Sequence, residues 1–147
     1  MHSILVATDF SEPARRAFDH ATELAGLCGA TMVIAHVYAT PLVYAVAAPS
    51  VTVPPPDVGA IEVELEPPMH ELADRARAAG VADVKLAIAG GDAAHEIVQV
   101  ARDHGCDLIV MGTHGRSGVR HLVLGSIAEK VVRLAECPVL VVPMKTR

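Results

Sequence analysis

Much of what defines membrane, secreted and disulfide-stabilised proteins is missing from this chain. Its uninterrupted apolar runs are far shorter than the roughly 20 residues that a membrane-spanning helix needs. Residues 1–3 lead directly into an apolar run, without the basic region and cleavage site of a secretory signal. The three cysteines, Cys28, Cys106 and Cys137, form no CxxC pair, which argues against a disulfide framework and a zinc site. We therefore expect a cytoplasmic protein whose cysteines are small buried apolar residues.

Groups that accelerate phosphoryl transfer are also scarce. The sequence has no GxxxxGK(S/T) motif, and no lysine stands between Lys85 and Lys130. Its eight histidines include no HExxH pair, so we expect no metal site. With 17 Asp plus Glu against 12 Lys plus Arg, the chain is too acidic for nonspecific binding to nucleic acid. If the protein binds a nucleotide, we expect hydrolysis to be slow.

Apolar runs alternate with segments of helical period along the 147 residues, a length that fits one domain, residues 1–147. Strands are predicted at residues 4–7, 31–38, 84–89, 107–111 and 139–142. Helices are predicted at residues 14–28, 69–79 and 126–135, and a further helix begins after Asp92 and runs to about residue 104. This alternation is typical of an α/β protein with a five-stranded parallel sheet and helices on both faces. Right-handed crossovers favour the strand order 3-2-1-4-5.

A glycine-rich segment follows the fourth strand. Two residues separate Gly112 from Gly115, and nine residues separate Gly115 from Gly125. Glycine lets a ligand approach the main chain closely, and the amides at the start of the next helix favour an anion. Ser126 and Glu129 have the spacing of a capping box, which predicts that Ser126 caps this helix. The segment therefore predicts a phosphate site.

The charge around these glycines differs from that of the whole chain. No carboxylate stands between Asp107 and Glu129, whereas four residues there are basic or become so on protonation: His114, Arg116, Arg120 and His121. A solvated basic loop is the alternative explanation of such a cluster. The glycine spacing favours the phosphate site.

The expected strand order places a second segment beside the glycines. From strand 1 the chain adds strands 2 and 3 on one side of the sheet, and strands 4 and 5 on the other. Open α/β sheets bind ligands where the direction of winding changes in this way, here between strands 1 and 4, beyond the carboxyl ends of the strands. Ala7, Thr8 and Asp9 stand at the end of strand 1. Asp9 is a candidate for ligand contact; the alternative is that Asp9 or Ser11 caps helix 1.

The spacing of Gly112, Gly115 and Gly125, with Ser126 after the last glycine and Asp9 after strand 1, resembles the universal stress protein family over essentially the whole chain. The resemblance implies a Rossmann-like fold, a stress-response or signalling role through partner binding, and binding of ATP, with or without Mg2+. The nucleotide-site residues that it implies are Ala7, Thr8, Asp9, Val37, Met111, Gly112, His114, Gly115, Arg116, Gly125, Ser126 and Ile127.

Strand 5 is expected at an edge of the sheet and is uniformly apolar, with the sequence Val139, Leu140, Val141, Val142. An apolar edge without charges favours pairing with another chain, and the prolines at 138 and 143 favour a closed two-fold contact. The family resemblance likewise implies a homodimer through this strand. Packing in the protein's own core is the alternative reason for the apolar residues.

The connection at residues 39–60 carries five of the ten prolines and is longer than usual. A mobile surface loop is the favoured interpretation; a flap or docking surface is the alternative, because residues 42–46 are apolar.

Three functions are open: an ATP-binding signalling protein, a slow ATPase or nucleotide-transferring enzyme, and a nucleotide-free interaction protein. The complete glycine pattern argues against the third.

Overall fold

The structure, a computed structural model, describes residues 1–40, 57–114 and 124–144. Its strands are β1 (Ser3–Ala7), β2 (Thr31–Tyr38), β3 (Val84–Gly90), β4 (Leu108–Gly112) and β5 (Val139–Val142). Its helices are α1 (Glu12–Cys28), α2 (Val58–Ala78), α3 (Ala93–Asp103) and α4 (Ser126–Leu134). The strands form one parallel sheet in the order β3-β2-β1-β4-β5. The predicted fold class and strand order are confirmed.

Strand β1 lies at the centre of the sheet and is buried on both faces. Every residue of β1 is buried, and its side chains alternate between two core clusters. Ile4 and Val6 pack with α1 and α2 on what we name the α1/α2 face. Leu5 and Ala7 pack with α3 and α4 on the α3/α4 face. Burial on both faces explains why β1 is apolar from Ile4 to Ala7.

Short polar side chains begin three of the four described helices. Ser11, Asp57 and Asp92 each accept a hydrogen bond from the backbone N–H three residues later, at 3.4, 3.2 and 3.2 Å respectively. Gly29 ends α1 in the left-handed conformation, with φ at 63°. These contacts satisfy backbone groups that helical hydrogen bonding leaves open.

Helix α2 is longer than its apolar pattern indicates. The sequence predicts a helix at residues 69–79, whereas the structure begins it at Val58 and ends it at Ala78. Pro67 and Pro68 lie inside it, and its buried residues all follow them: Met69, Leu72, Ala73 and Ala76. Because no residue of α2 before Met69 is buried, its first half has no apolar periodicity from which a helix could be predicted. Residues 41–56 of the proline-rich connection lie outside the described residues.

The structure contains no described helix that is long and apolar enough to cross a membrane.

The prediction of buried cysteines is wrong. Cys28 is exposed at the end of α1, and Cys106 and Cys137 are half-buried at the margin of the α3/α4 face. Partial burial raises the pKa of both half-buried thiols.

The start of β4 also differs from the prediction by one residue. β4 begins at Leu108, and Asp107 directly precedes it. The Asp107 carboxylate accepts hydrogen bonds from the backbone amides of His2 and Ser3, with the Ser3 bond at 3.1 Å. These hydrogen bonds tie the start of β4 to the start of β1 and lower the pKa of Asp107.

Asp92 joins α3 to α4 in a way that depends on pH. Its carboxylate accepts a 2.7 Å hydrogen bond from the His95 ring Nδ1 and lies 3.4 Å from Lys130 Nζ. The hydrogen bond from His95, more than any other contact, lowers the pKa of Asp92 from 3.8 to about 2. Since the folded pKa is the lower one, the Asp92 carboxylate stabilises the fold above its unfolded pKa and loses that effect as the pH falls towards about 2.

We expect the wild type to be more stable than Asp92→Asn near neutral pH, and the difference in free energy of unfolding to shrink as the pH falls from about 4 to about 2. Asparagine keeps the helix cap, so the comparison isolates the charge. Urea denaturation of both proteins across this pH range measures the effect. A difference that does not change with pH would contradict the expectation.

Candidate functional site

The carboxyl ends of β1 and β4 lie side by side where the strand order reverses. Val6 and Val110 are paired in register, so Ala7 and Met111 come next at the same edge of the sheet. The chain continues from β1 into α1 on one face of the sheet, and α4, the helix that follows β4, covers the other. Connections that diverge in this way leave a crevice beyond the strand ends, where open α/β sheets bind ligands.

Three predicted site residues share one face of the sheet at this edge. Ala7 and Met111 are buried on the α3/α4 face, and Val37 packs against the same cluster. They belong to β1, β4 and β2, which are neighbours in the sheet. The structure therefore brings together three of the apolar side chains that the resemblance implies for the nucleotide site.

The connection from β4 to α4 is closed by backbone hydrogen bonds. The Thr113 N–H donates to the carbonyl oxygen of Val142 at 3.2 Å, and the Gly125 N–H donates to that of Thr113 at 2.7 Å. A Cβ added at Gly125 would lie 2.6 Å from the Thr113 oxygen, so this approach requires glycine. The His114 ring Nδ1 lies 3.0 Å from the Thr113 hydroxyl. The start of α4 is thus fixed beside the end of β4.

The prediction that Ser126 caps α4 is wrong. Gly125 occupies the N-cap position, with φ at −59° and ψ at 150°, and Ser126 is the first helical residue and is exposed. Glu129 does not complete a capping box, because its carboxylate forms an ion pair with Arg133 at 2.7 Å. The close contact of Gly125 with Thr113 sets where the helix begins. α4 is the one described helix without a side-chain cap, and helix N-termini attract anions.

Of the two residues considered as caps of helix 1, Ser11 is the N-cap of α1, and Asp9 supports it. The Ser11 backbone N–H donates to Asp9 Oδ1 at 3.0 Å, and the Ser11 hydroxyl donates to the same oxygen. The hydroxyl oxygen of Ser11 in turn caps α1. Thr8 contributes a further bond within the turn, since its Oγ1 accepts from the Phe10 N–H at 3.0 Å. These bonds fix the Asp9 carboxylate at the end of β1.

Two residues that were not predicted, Phe10 and His36, also hold this turn. Phe10 has φ at 63°, a left-handed conformation that costs a non-glycine residue about 1 kcal/mol or more. The Phe10 ring lies 4.9 Å from the His36 ring. His36 Nδ1 lies 2.8 Å from the carbonyl oxygen of Thr8, and because a carbonyl only accepts, this nitrogen carries the proton. A histidine inside the apolar run 32–37 is the signal that could have identified it.

Several predicted residues lie outside the described residues: Gly115, Arg116, Arg120 and His121. Within the described ranges, no group of three or more His, Cys, Asp or Glu residues could hold a metal ion. A groove of about 700 Å³ lies between α1 and α2, lined in part by Phe18, Leu27 and Arg75. Because these helices cover the α1/α2 face, the groove is separate from the crevice at β1 and β4.

Gly112, the last residue of β4, lets α1 pack closely on the sheet. A Cβ added there would lie 2.9 Å from backbone and side-chain atoms of Pro13, which is buried at the start of α1. Gly112 therefore has a packing role whether or not a ligand approaches it.

We expect Gly112→Ala to destabilise the fold by about 1–3 kcal/mol, because the methyl group forces α1 away from β4. Gly26→Ala is the matched control, since a Cβ there meets only Ala79 O at 4.0 Å. In a helix interior this change is expected to stabilise by about 0.5–1 kcal/mol. Urea denaturation gives both values, and a Gly112→Ala protein as stable as the wild type would contradict the packing role.

Comparison with known proteins agrees with this architecture. The chain matches the model of the universal stress protein family over residues 1–143. It is 33% identical over 146 residues to the universal stress protein YxiE of Bacillus subtilis (strain 168), an alignment that covers 96% of this chain and 98% of that protein. Its fold is similar to that of the universal stress protein UspA from Lactobacillus plantarum, with a TM-score of 0.76, 25% identity and coverage of 96% and 97%.

A second solved structure, of a universal stress protein in complex with cAMP, has a TM-score of 0.72 and 27% identity, and the match covers 97% of this chain and 96% of that one. The family match spans nearly the whole sequence, and the B. subtilis relative is similar over nearly its whole length. The chain belongs to the universal stress protein family.

Proposed function

We propose that the protein binds an adenine nucleotide, with ATP the favoured one, at the crevice between β1 and β4. The observation that carries the proposal is the convergence of Ala7, Val37 and Met111 on one sheet face covered by α4, whose N-terminus has no side-chain cap. Apolar side chains suit a base and ribose, and uncapped helix amides suit phosphates. The cAMP complex of a similar protein supports the same class of ligand.

Each part of the nucleotide has a candidate contact. Asp9 is assigned to the nucleoside, Val37 to adenine, and Met111 to the ribose, with Ala7, Thr8 and Gly112 beside them. The phosphates are assigned to the α4 N-terminus through Gly125 and Ser126, with Ile127 continuing the wall. Gly115, His114 and Arg116 stand between β4 and α4 in the sequence and are assigned to the phosphate side, with or without Mg2+.

The electrostatics at the start of α4 favour an anion. Glu129, the acidic residue in the first turn, is paired with Arg133. No other carboxylate stands between Asp107 and Glu129 in the sequence. The helix dipole adds a partial positive charge at the same place. We infer that nucleotide occupancy here biases the surface that a protein partner recognises, which gives a stress-response or signalling module.

A slow ATPase or nucleotide-transferring enzyme is the alternative function. Lys130 is the lysine nearest the glycine segment in sequence, and its Nζ lies 3.4 Å from the Asp92 carboxylate. No GxxxxGK(S/T) motif presents a lysine to the phosphates, which favours the binding function over fast turnover. Phosphate release under saturating ATP and magnesium separates the two functions.

We expect Ser126→Ala to weaken ATP binding about tenfold without lowering the free energy of unfolding, because the hydroxyl is exposed and does not cap α4. Isothermal titration with ATP and with adenosine, which lacks phosphates, measures the effect. Adenosine affinity should be unchanged by the same substitution.

Val132→Ala is the control, since Val132 is exposed on α4 beyond its first turn. It should leave both affinities unchanged. ATP affinity that is equal in wild type and Ser126→Ala would exclude Ser126 from the phosphate site. Failure of the wild type to bind any adenine nucleotide would overturn the proposed function.

We also propose that the protein forms a homodimer through β5, the edge strand next to β4. Val142 is buried and belongs to the core, which accounts for part of the strand's apolar character. Leu140 is 39% exposed, and Val132, Leu134 and Met144 are exposed on α4 and just after β5. An apolar edge strand with apolar neighbours favours pairing with a second copy.

We expect Leu140→Lys or Val141→Lys to shift a dimer towards monomer at micromolar concentration, since the added charge opposes strand pairing. Leu27→Lys is the control, because Leu27 is 78% exposed on α1 and lies away from β5. Sedimentation velocity measures all of these proteins. A monomeric wild type, or lysine variants that stay dimeric, would reject this interface.

A further inference from the structure

We infer that His36 and Phe10 are positioning residues for the nucleotide site, because they hold residues 8–11 in the conformation that fixes Asp9 at the end of β1. The inference rests on the proposed nucleotide binding and adds to it two residues outside the predicted set. Both act through the turn between β1 and α1.

His36 ties the turn to β2. It is 8% exposed on the α1/α2 face, and its Nδ1 donates a 2.8 Å hydrogen bond to the carbonyl oxygen of Thr8. The backbone N–H of Thr8 donates to the carbonyl oxygen of Ala35, also at 2.8 Å. Thr8, itself 7% exposed, is therefore bonded to β2 through both of its backbone polar groups. A buried carbonyl without a donor costs free energy, so the closed turn depends on the hydrogen bond from His36.

Phe10 holds the other side of Asp9. A positive φ favours glycine, so a phenyl group at this position must make contacts that offset the conformational cost. Its ring packs against the α1/α2 core and lies 4.9 Å from the His36 ring, at an interplanar angle of 33°. The left-handed residue reverses the chain directly after Asp9.

Asp9 thus lies between two residues that are each held by His36. Its Oδ1 accepts both hydrogen bonds from Ser11, and these require the turn to stay closed. Without the His36 donor and ring, Thr8 loses its carbonyl partner and Phe10 loses its ring partner. The turn is then free to relax to a negative φ at Phe10, which moves the carboxylate away from the crevice.

Two substitutions separate the contributions of the donor and the ring. His36→Phe keeps a ring and removes the donor, whereas His36→Asn places an amide near the Nδ1 position and removes the ring. Thr22→Val is the matched control: Thr22 is 7% exposed on α1, and its hydroxyl also donates a 2.8 Å hydrogen bond to a backbone carbonyl, that of Phe18.

We expect His36→Phe to weaken ATP binding at least about tenfold, and His36→Asn to weaken it less, as measured by isothermal titration. Thr22→Val should lower the free energy of unfolding about as much as His36→Phe does, but it should leave ATP affinity within about twofold of the wild type. Hydrogen exchange on the ligand-free proteins should show lost protection of the Phe10 and Ser11 amides in His36→Phe and not in Thr22→Val.

The outcomes distinguish this inference from the proposed function. If the wild type binds ATP and His36→Phe binds it equally well, the positioning role is overturned and nucleotide binding stands. If the wild type binds no adenine nucleotide, the proposed function fails, and the hydrogen-exchange data decide whether His36 holds the turn. Selective loss of protection then supports the role, and unchanged protection overturns it. Should His36→Phe not fold, Phe10→Ala, which keeps the strained positive φ but removes the ring that offsets it, is expected to show the same loss of affinity; wild-type affinity in that variant overturns the role.

Discussion

Burial of β1 on both faces is the constraint on which the rest of the structure depends. A strand without an exposed side chain needs parallel neighbours on both edges and helices above and below, and β2, β4, α1 and α4 meet those needs. Because α1 and α4 cover opposite faces, the connections after β1 and β4 must diverge. The crevice at their ends therefore follows from how the core is packed, before any ligand is considered.

Two glycines of the family pattern have packing reasons that are independent of a nucleotide. Gly112 admits Pro13, and Gly125 admits the Thr113 carbonyl, and a Cβ at either position would meet backbone atoms within 3 Å. A stable fold thus explains both glycines. Ser126 differs from them, because its exposed side chain forms no cap bond. Among the described residues of the pattern, Ser126 is therefore the more direct indicator of a phosphate ligand.

The two sides of the crevice are held differently. On the β4 side, backbone hydrogen bonds join Thr113 to Val142 and Gly125 to Thr113, so the start of α4 needs no side chain to fix it. On the β1 side, side chains hold the turn through Thr8, Ser11 and His36. This arrangement leaves the start of α4 without a side-chain cap and keeps the Asp9 carboxylate in one place, which is the preorganisation that the proposed nucleotide site would need.

Local patterns in the sequence determined the strands, their order and several helix ends. Apolar runs identify strands buried on both faces, and Asp92 and Gly29 act within one helical turn of their own positions. Tertiary structure decided what depends on residues far apart in the chain. It extended α2 through Pro67 and Pro68, moved the cap of α4 from Ser126 to Gly125, exposed Cys28, and placed His36 against Phe10. His36 and Phe10 are 26 positions apart in the chain. A contact of this kind leaves no periodic signal in the sequence, because the packing of separate elements creates it.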